Sequence, residues 1–174
     1  YSLINSLYGE PLEEFCRVLL GRSDGDTFEE FMKGVRLYQR QTIPESGALY
    51  PGTKTMLEAL LDMGFDLAIL SNAHTDYILE VAGGLGILDL FSAYMGRSHE
   101  ASKTLRLKKL SAGYDFVVMA GDRYHDVHAA MDNGFPAIGC EYGYGKRDEL
   151  EGSMVAGSTD EIVPLVKKAL RLHT

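Results

Sequence analysis

Asp122 and Asp126 stand four residues apart behind an apolar run, residues 116–120, that reads Phe-Val-Val-Met-Ala. Such a run is too short for a typical helix and suits a strand buried on both faces of a parallel sheet. Gly121 ends it and permits a tight turn. Asp122 then falls just past the carboxyl end of the strand, where open α/β sheets bind ligands. Asp126 falls near the start of a helix carrying Val127, Ala130 and Met131 on one side. Two carboxylates at a strand tip are a candidate site for a hard divalent cation such as Mg²⁺, which takes oxygen ligands at about 2.0–2.1 Å. The same residues also suit a plain strand-to-helix turn in which Asp caps the helix.

Other polar groups are expected at the same edge. The apolar run 65–70 ends in Ser71-Asn72, and Lys103 opens a helix after the next strand. In a doubly wound sheet these strand ends converge on one crevice. There Ser71 can donate to a phosphoryl oxygen, helped by the backbone N–H groups after it. Lys103 can neutralise charge that develops in a transition state. Each has a plainer alternative: Ser71 as a helix cap, Lys103 as a surface lysine. His125 and His128 lack the further Cys or His that a zinc set needs, and read as surface or supporting residues. The loop Tyr142-Gly143-Tyr144-Gly145 either closes over a ligand or is only a connection.

The elements that must position these groups follow from periodicity and punctuation. Residues 11–20 and 27–41 read as two helices that precede any strand, the second with Phe28, Phe31, Met32, Val35 and Tyr38 as its apolar stripe. Residues 42–52, with Pro44, Gly47, Pro51 and Gly52, read as a linker. Beyond it, helices and strands alternate: strands at 65–70, within 88–96, at 116–120, at 135–140 and a short edge strand near 153–156, with a closing helix at 160–172. Alternation of this kind indicates an α/β fold, a Rossmann-like doubly wound parallel sheet, here with a small helical cap subdomain at residues 1–43 and an α/β core at 44–174.

The chain has 174 residues, 45% of them hydrophobic, enough for one domain with a small insertion. No apolar run approaches a membrane span and no signal-peptide pattern opens the chain. Cys16 and Cys140 lie far apart without metal spacing and are expected to be buried free thiols in a reducing cytoplasm. A net charge of −8 argues against a broad nucleic-acid surface, yet leaves room for a small anionic substrate in a locally positive site.

Taken in order, Ser71 after an apolar strand, Lys103 further on, and Gly121-Asp122-x-x-x-Asp126 after another strand resemble the last three of four motifs of the haloacid dehalogenase-like phosphatase superfamily. The wording is most similar to its phosphoglycolate-phosphatase-like branch: Tyr50-Pro51-Gly52, Leu70-Ser71-Asn72, Ser102-Lys103, Gly121-Asp122-Arg123 with His125-Asp126, and Tyr142-Gly143-Tyr144-Gly145. The resemblance covers essentially the whole chain. It implies a Mg²⁺-dependent phosphomonoesterase acting on a small phosphorylated metabolite such as phosphoglycolate. In that family an Asp at the end of the first strand attacks phosphorus, and a second Asp two residues on acts as acid and base. By the resemblance, Ser71 and Asn72 bind the phosphoryl group, Lys103 steadies nucleophile and phosphate, Asp122 holds the metal and Asp126 supports it.

The departure lies at the family's first motif, Asp-x-Asp-x-Thr/Val after an apolar strand, which should precede the cap. The chain starts at Tyr1, inside or just before the cap. Asp24-Gly25-Asp26-Thr27 imitates the motif but has Phe28 at its fifth position and no strand before it, and reads as an interhelical turn. Two accounts stay open: a phosphatase whose nucleophile lies upstream of this chain, with the core lacking its first strand, or a nucleophile-less module that binds phosphate and metal without catalysis. A receiver- or flavodoxin-like domain fits less well, because the cap helices have no place in it. If the first strand is absent, the sheet should show a gap flanked by partly uncovered Leu67, Ile69, Val117 and Met119.

Overall fold

In the computed structural model, which describes residues 2–97 and 101–173, three helices come before any strand. They are α1 (Ser2–Leu7), α2 (Leu12–Leu20) and α3 (Asp26–Ser46). Pro11 stands just ahead of α2, and Gly21 ends it at φ 66°, a left-handed turn that a residue without Cβ adopts freely. Cys16, Phe28 and Met32 form an apolar cluster of their own between α2 and α3. The expected linker begins later than its prolines and glycines suggest. Helix α3 continues through position 44 to Ser46, and the Gly47 N–H bonds to the Ile43 carbonyl to close its last turn. Its flank is held to the core by an ion pair from Arg40 Nε to Glu80, 3.0 Å.

From residue 53 helices and strands alternate: α4 (Thr53–Asp62), β1 (Ala68–Leu70), α5 (Thr75–Gly84), β2 (Ala93–Met95), α6 (Lys103–Leu110), β3 (Met119–Gly121), α7 (Tyr124–Asp132), β4 (Ala137–Cys140), β5 (Met154–Ala156) and α8 (Ile162–His173). All pairings are parallel. The sheet β3-β4-β5 is covered on both faces. Ile138 and Cys140 meet Leu60 of α4 and Ile162 and Val166 of α8, while Ala137 meets Leu107 of α6 and Val127 of α7.

The strands do not form one continuous sheet. The doubly wound pattern implies one parallel sheet, but β1 pairs with β2 and β3 pairs with β4, giving a two-stranded and a three-stranded sheet. The facing edges of β1 and β3 carry no ladder. Between them lies an apolar cavity of about 390 Å³, walled by Leu67, Ile69, Val117 and Met119 among others. Ala68 and Ala120, mid-strand by pattern, are exposed, and Leu67, Ile69, Val117 and Met119 are only partly buried, whereas every residue of β4 is buried. The same cause shortens the strands: residues 65–67 and 116–118 keep strand composition but fall outside the paired segments. An apolar strand in the interior of a parallel sheet has a hydrogen-bonded neighbour on each side, and β1 and β3 each have one.

Candidate functional site

Tight turns at the strand ends bring the chemistry-bearing residues to one edge. The three motif groups arrive as the sequence order implies: Ser71 follows β1, Lys103 opens α6 after β2, and Asp122 follows β3. Ser71 does not cap α5, whose first turn receives no side-chain bond. Its Oγ accepts from the Ala73 N–H at 3.1 Å, which leaves the hydroxyl hydrogen to donate elsewhere. Asn72 directs its Nδ2 at the Gly9 carbonyl, 3.4 Å away on the loop before α2.

Lys103 is not a surface lysine. Its Nζ is ion-paired with Asp126 Oδ1, and both side chains are nearly buried. Asp126 is 7% exposed and its second oxygen accepts the Arg123 N–H at 3.1 Å, so it also caps α7. Gly121 lies directly beneath: a Cβ there would run into the Asp126 carboxylate. Asp126 therefore has both oxygens engaged by the protein. Asp122 is different. One oxygen accepts the Tyr144 N–H at 2.7 Å. The loop that supplies this bond approaches only because Gly143 and Gly145 lack side chains, since a Cβ on either would collide with Asp122. The Tyr142–Gly145 loop thus orients the Asp122 carboxylate, and Tyr144 stacks on Tyr8 with centroids 4.5 Å apart.

The helical pair is fastened over this edge through two groups of charges. Glu13 of α2 is ion-paired with Arg97, just after β2, and lies 3.4 Å from His74, just after β1. Arg123 is 7% exposed and binds Glu149 through Nε at 2.8 Å, Glu10 through Nη2 at 3.1 Å, and the Tyr8 carbonyl. Glu10 also meets His125 Nε2 at 3.2 Å. His125 therefore serves the fastening, and His128 is exposed with its ring edge-on to Tyr124. Burial pushes the Glu149 carboxyl up, but the Arg123 hydrogen bond and charge, with two backbone N–H bonds, hold it below the ordinary carboxylate range. A depressed carboxylate contributes stability that is present above its unfolded pKa, about 4.3, and lost as pH falls through the folded value. Glu149→Gln is accordingly expected to lower the melting temperature at pH 7 and to differ little from the native residue at pH 3. An equal difference at both pH values would contradict this role.

The sequence reading did not single out Arg106 or Glu10. Arg106 has a signal: with Lys103, Leu107 and Leu110 it shares the buried stripe of α6, an unusual place for a cation. Glu10 has none, because it acts across the fold. The imitation motif Asp24-Gly25-Asp26-Thr27 lies in the exposed turn between α2 and α3, with Asp26 as the first residue of α3. Both cysteines are buried free thiols. Among the described residues no helix is long and apolar enough to cross a membrane, and no group of three or more His, Cys, Asp or Glu is arranged to hold a metal.

The donor set nevertheless suits Mg²⁺. That ion keeps most of its waters and is held by one or two carboxylates plus substrate phosphate, not by a closed protein cage. Asp122 offers such a carboxylate oxygen, fixed by the Tyr144 N–H.

Comparison with known proteins shows the family. The chain is 30% identical over 139 residues to phosphoglycolate phosphatase of Pectobacterium atrosepticum, covering 74% of this chain and 59% of the relative. It is 31% identical over 114 residues to the Yersinia pseudotuberculosis phosphoglycolate phosphatase, covering 62% and 49%. The chain thus spans about half the length of the curated relatives it matches. Among solved structures, a predicted phosphatase from Clostridium acetobutylicum superposes with a TM-score of 0.75 at 26% identity, covering 96% of this chain and 82% of that one. A haloacid dehalogenase-like family protein from Streptococcus pneumoniae shares the fold, with a TM-score of 0.78 at 22% identity over 95% and 80% of the two chains. The haloacid dehalogenase-like hydrolase family model matches residues 5–134, and the chain belongs to that family.

Proposed function

We propose that this chain is the phosphate- and Mg²⁺-binding part of a phosphomonoesterase for a small organic phosphate, of the phosphoglycolate-phosphatase type. The observation that supports the reading is the chain of contacts along the strand ends: Arg106 of α6 bonds the Ser71 carbonyl after β1, and Lys103 of the same helix pairs with Asp126, four residues after Asp122 at the end of β3. An apolar strand seated between β1 and β3 would end between Ser71 and Asp122. Its terminal Asp would serve as the nucleophile, and a second Asp two residues on as acid and base.

The chemistry then balances in two steps. The Asp oxygen bonds to phosphorus as the ester P–O bond breaks, and the leaving oxygen takes a proton from the second carboxyl group. Water, deprotonated by that same carboxylate, then cleaves the aspartyl-phosphate to inorganic phosphate and free Asp. Within the present chain, Ser71 Oγ–H and the Asn72 N–H hold phosphoryl oxygens, while the Ala73 N–H fixes the Ser71 hydroxyl. Lys103 brings positive charge to the phosphate while balanced by Asp126, and Asp122 holds the metal. The Mg²⁺ ion, when bound, neutralises phosphoryl charge as a Lewis acid. Helices α2 and α3, fastened through Glu10 and Glu13, act as the cap that limits substrate size.

Mg²⁺ is expected to raise the melting temperature, because it binds only the folded state. Asp122→Asn is expected to abolish that rise while leaving the metal-free melt within a few degrees. An unchanged Mg²⁺ response in Asp122→Asn removes that residue from the metal's ligands.

A further inference from the structure

Arg106 is 4% exposed, yet no carboxylate among the described residues pairs with it. Its partners are neutral: the Ser71 carbonyl at 2.6 Å, the Gly96 carbonyl at 2.7 Å and Asn72 Oδ1 at 3.0 Å. Its Nε is the one buried side-chain polar atom among the described residues without a hydrogen-bond partner. Burial and the neighbouring charge of Arg97 both act against its protonated form. An isolated charge costs several kcal/mol to bury, and buried charges are normally paired. Here the positive charge lies against the carbonyls that follow β1 and β2.

The contacts also decide how Asn72 faces. A guanidinium only donates, so the Asn72 oxygen must turn toward Arg106. The amide NH₂ is thereby aimed at the Gly9 carbonyl, on the loop before α2. The bonds to the Ser71 and Gly96 carbonyls tie the ends of β1 and β2 together, which sets the Ser71 turn as well.

We propose that Arg106 is a positioning residue of the anion site: it holds the Ser71–Asn72 turn in place, and a phosphate dianion bound there supplies the counter-charge that no described residue supplies. The inference rests on the phosphate-binding reading above. It assigns a role to a residue outside the motif set, and it explains why a cation occupies the buried stripe of α6.

The test is titration of the 174-residue chain with inorganic phosphate in the presence of Mg²⁺, followed by calorimetry and by the side-chain NMR resonances of Asn72 Nδ2 and Arg106 Nε. In the native chain both resonances are expected to shift on phosphate addition. Arg106→Gln is expected to weaken phosphate binding on the order of 10–100-fold, because the counter-charge and the charge-assisted bonds that hold the Ser71–Asn72 turn are lost together. Millimolar methylguanidinium is expected to restore binding to Arg106→Ala. Native binding with equal affinity in a folded Arg106→Gln overturns the inference alone. Where the variants fail to fold, the native spectrum decides: an Arg106 Nε resonance that ignores bound phosphate overturns it. A native chain that binds no phosphate overturns the inference together with the phosphate reading.

Discussion

The polypeptide Tyr1–Thr174 by itself is expected to hydrolyse small phosphate monoesters no faster than buffer containing Mg²⁺. Uncatalysed hydrolysis of these esters is among the slowest of reactions, and enzymes accelerate it by up to about 10²¹-fold. That requires an in-line nucleophile with its own proton donor. Asp126 is bonded through both oxygens to Lys103 and the Arg123 N–H. Asp122 is the metal's carboxylate in the reading above. Asp24 and Asp26 sit in an exposed interhelical turn. A polypeptide that carries an apolar strand ending in Asp-x-Asp ahead of Tyr1 is expected to be active. It is also expected to melt higher, because the strand covers the cavity between β1 and β3. At about 25 cal/mol per Å², each 100 Å² of apolar wall covered contributes about 2.5 kcal/mol. Turnover by the 174 residues alone, lost in Asp24→Asn or Asp26→Asn, would show that the interhelical turn carries the nucleophile. A strand-bearing protein that binds phosphate esters without turning them over would instead favour a binding module.

In that active form, Lys103→Ala is expected to lower kcat by on the order of 10²–10³, the usual loss when one electrostatic stabiliser is removed. The geometry makes this substitution double-edged. Lys103 is the partner of a nearly buried Asp126, and breaking a buried pair from one side leaves the other charge uncompensated, at about 3–5 kcal/mol. A fall in activity therefore has to be separated from a fall in stability. Lys103→Ala combined with Asp126→Asn removes both charges and is expected to recover most of the melting temperature but none of the rate. Recovery of both would reduce Lys103 to a structural role.

Much of this was legible along the chain because it depends on local order. Apolar runs ending in Ser71-Asn72 and Gly121-Asp122, and Lys103 at a helix start, need only strand period, helix period and a turn to be placed, and the structure puts each at a strand or helix end. The Pro11 and Gly21 limits of α2 follow from backbone geometry alone. Other features depend on partners distant in sequence. Neighbouring strands are chosen by hydrogen bonds across the fold, so only the tertiary structure showed that β1 and β3 face each other without pairing. It was likewise needed to show that Asp126 is satisfied by Lys103, that Gly143 and Gly145 make room for Asp122, and that Glu10 joins Arg123 and His125 across more than a hundred residues. The sequence determined which side chains stand at strand ends, because a period is a property of the chain. The structure decided what each of them is bonded to, because a hydrogen bond or an ion pair is a property of two places brought together.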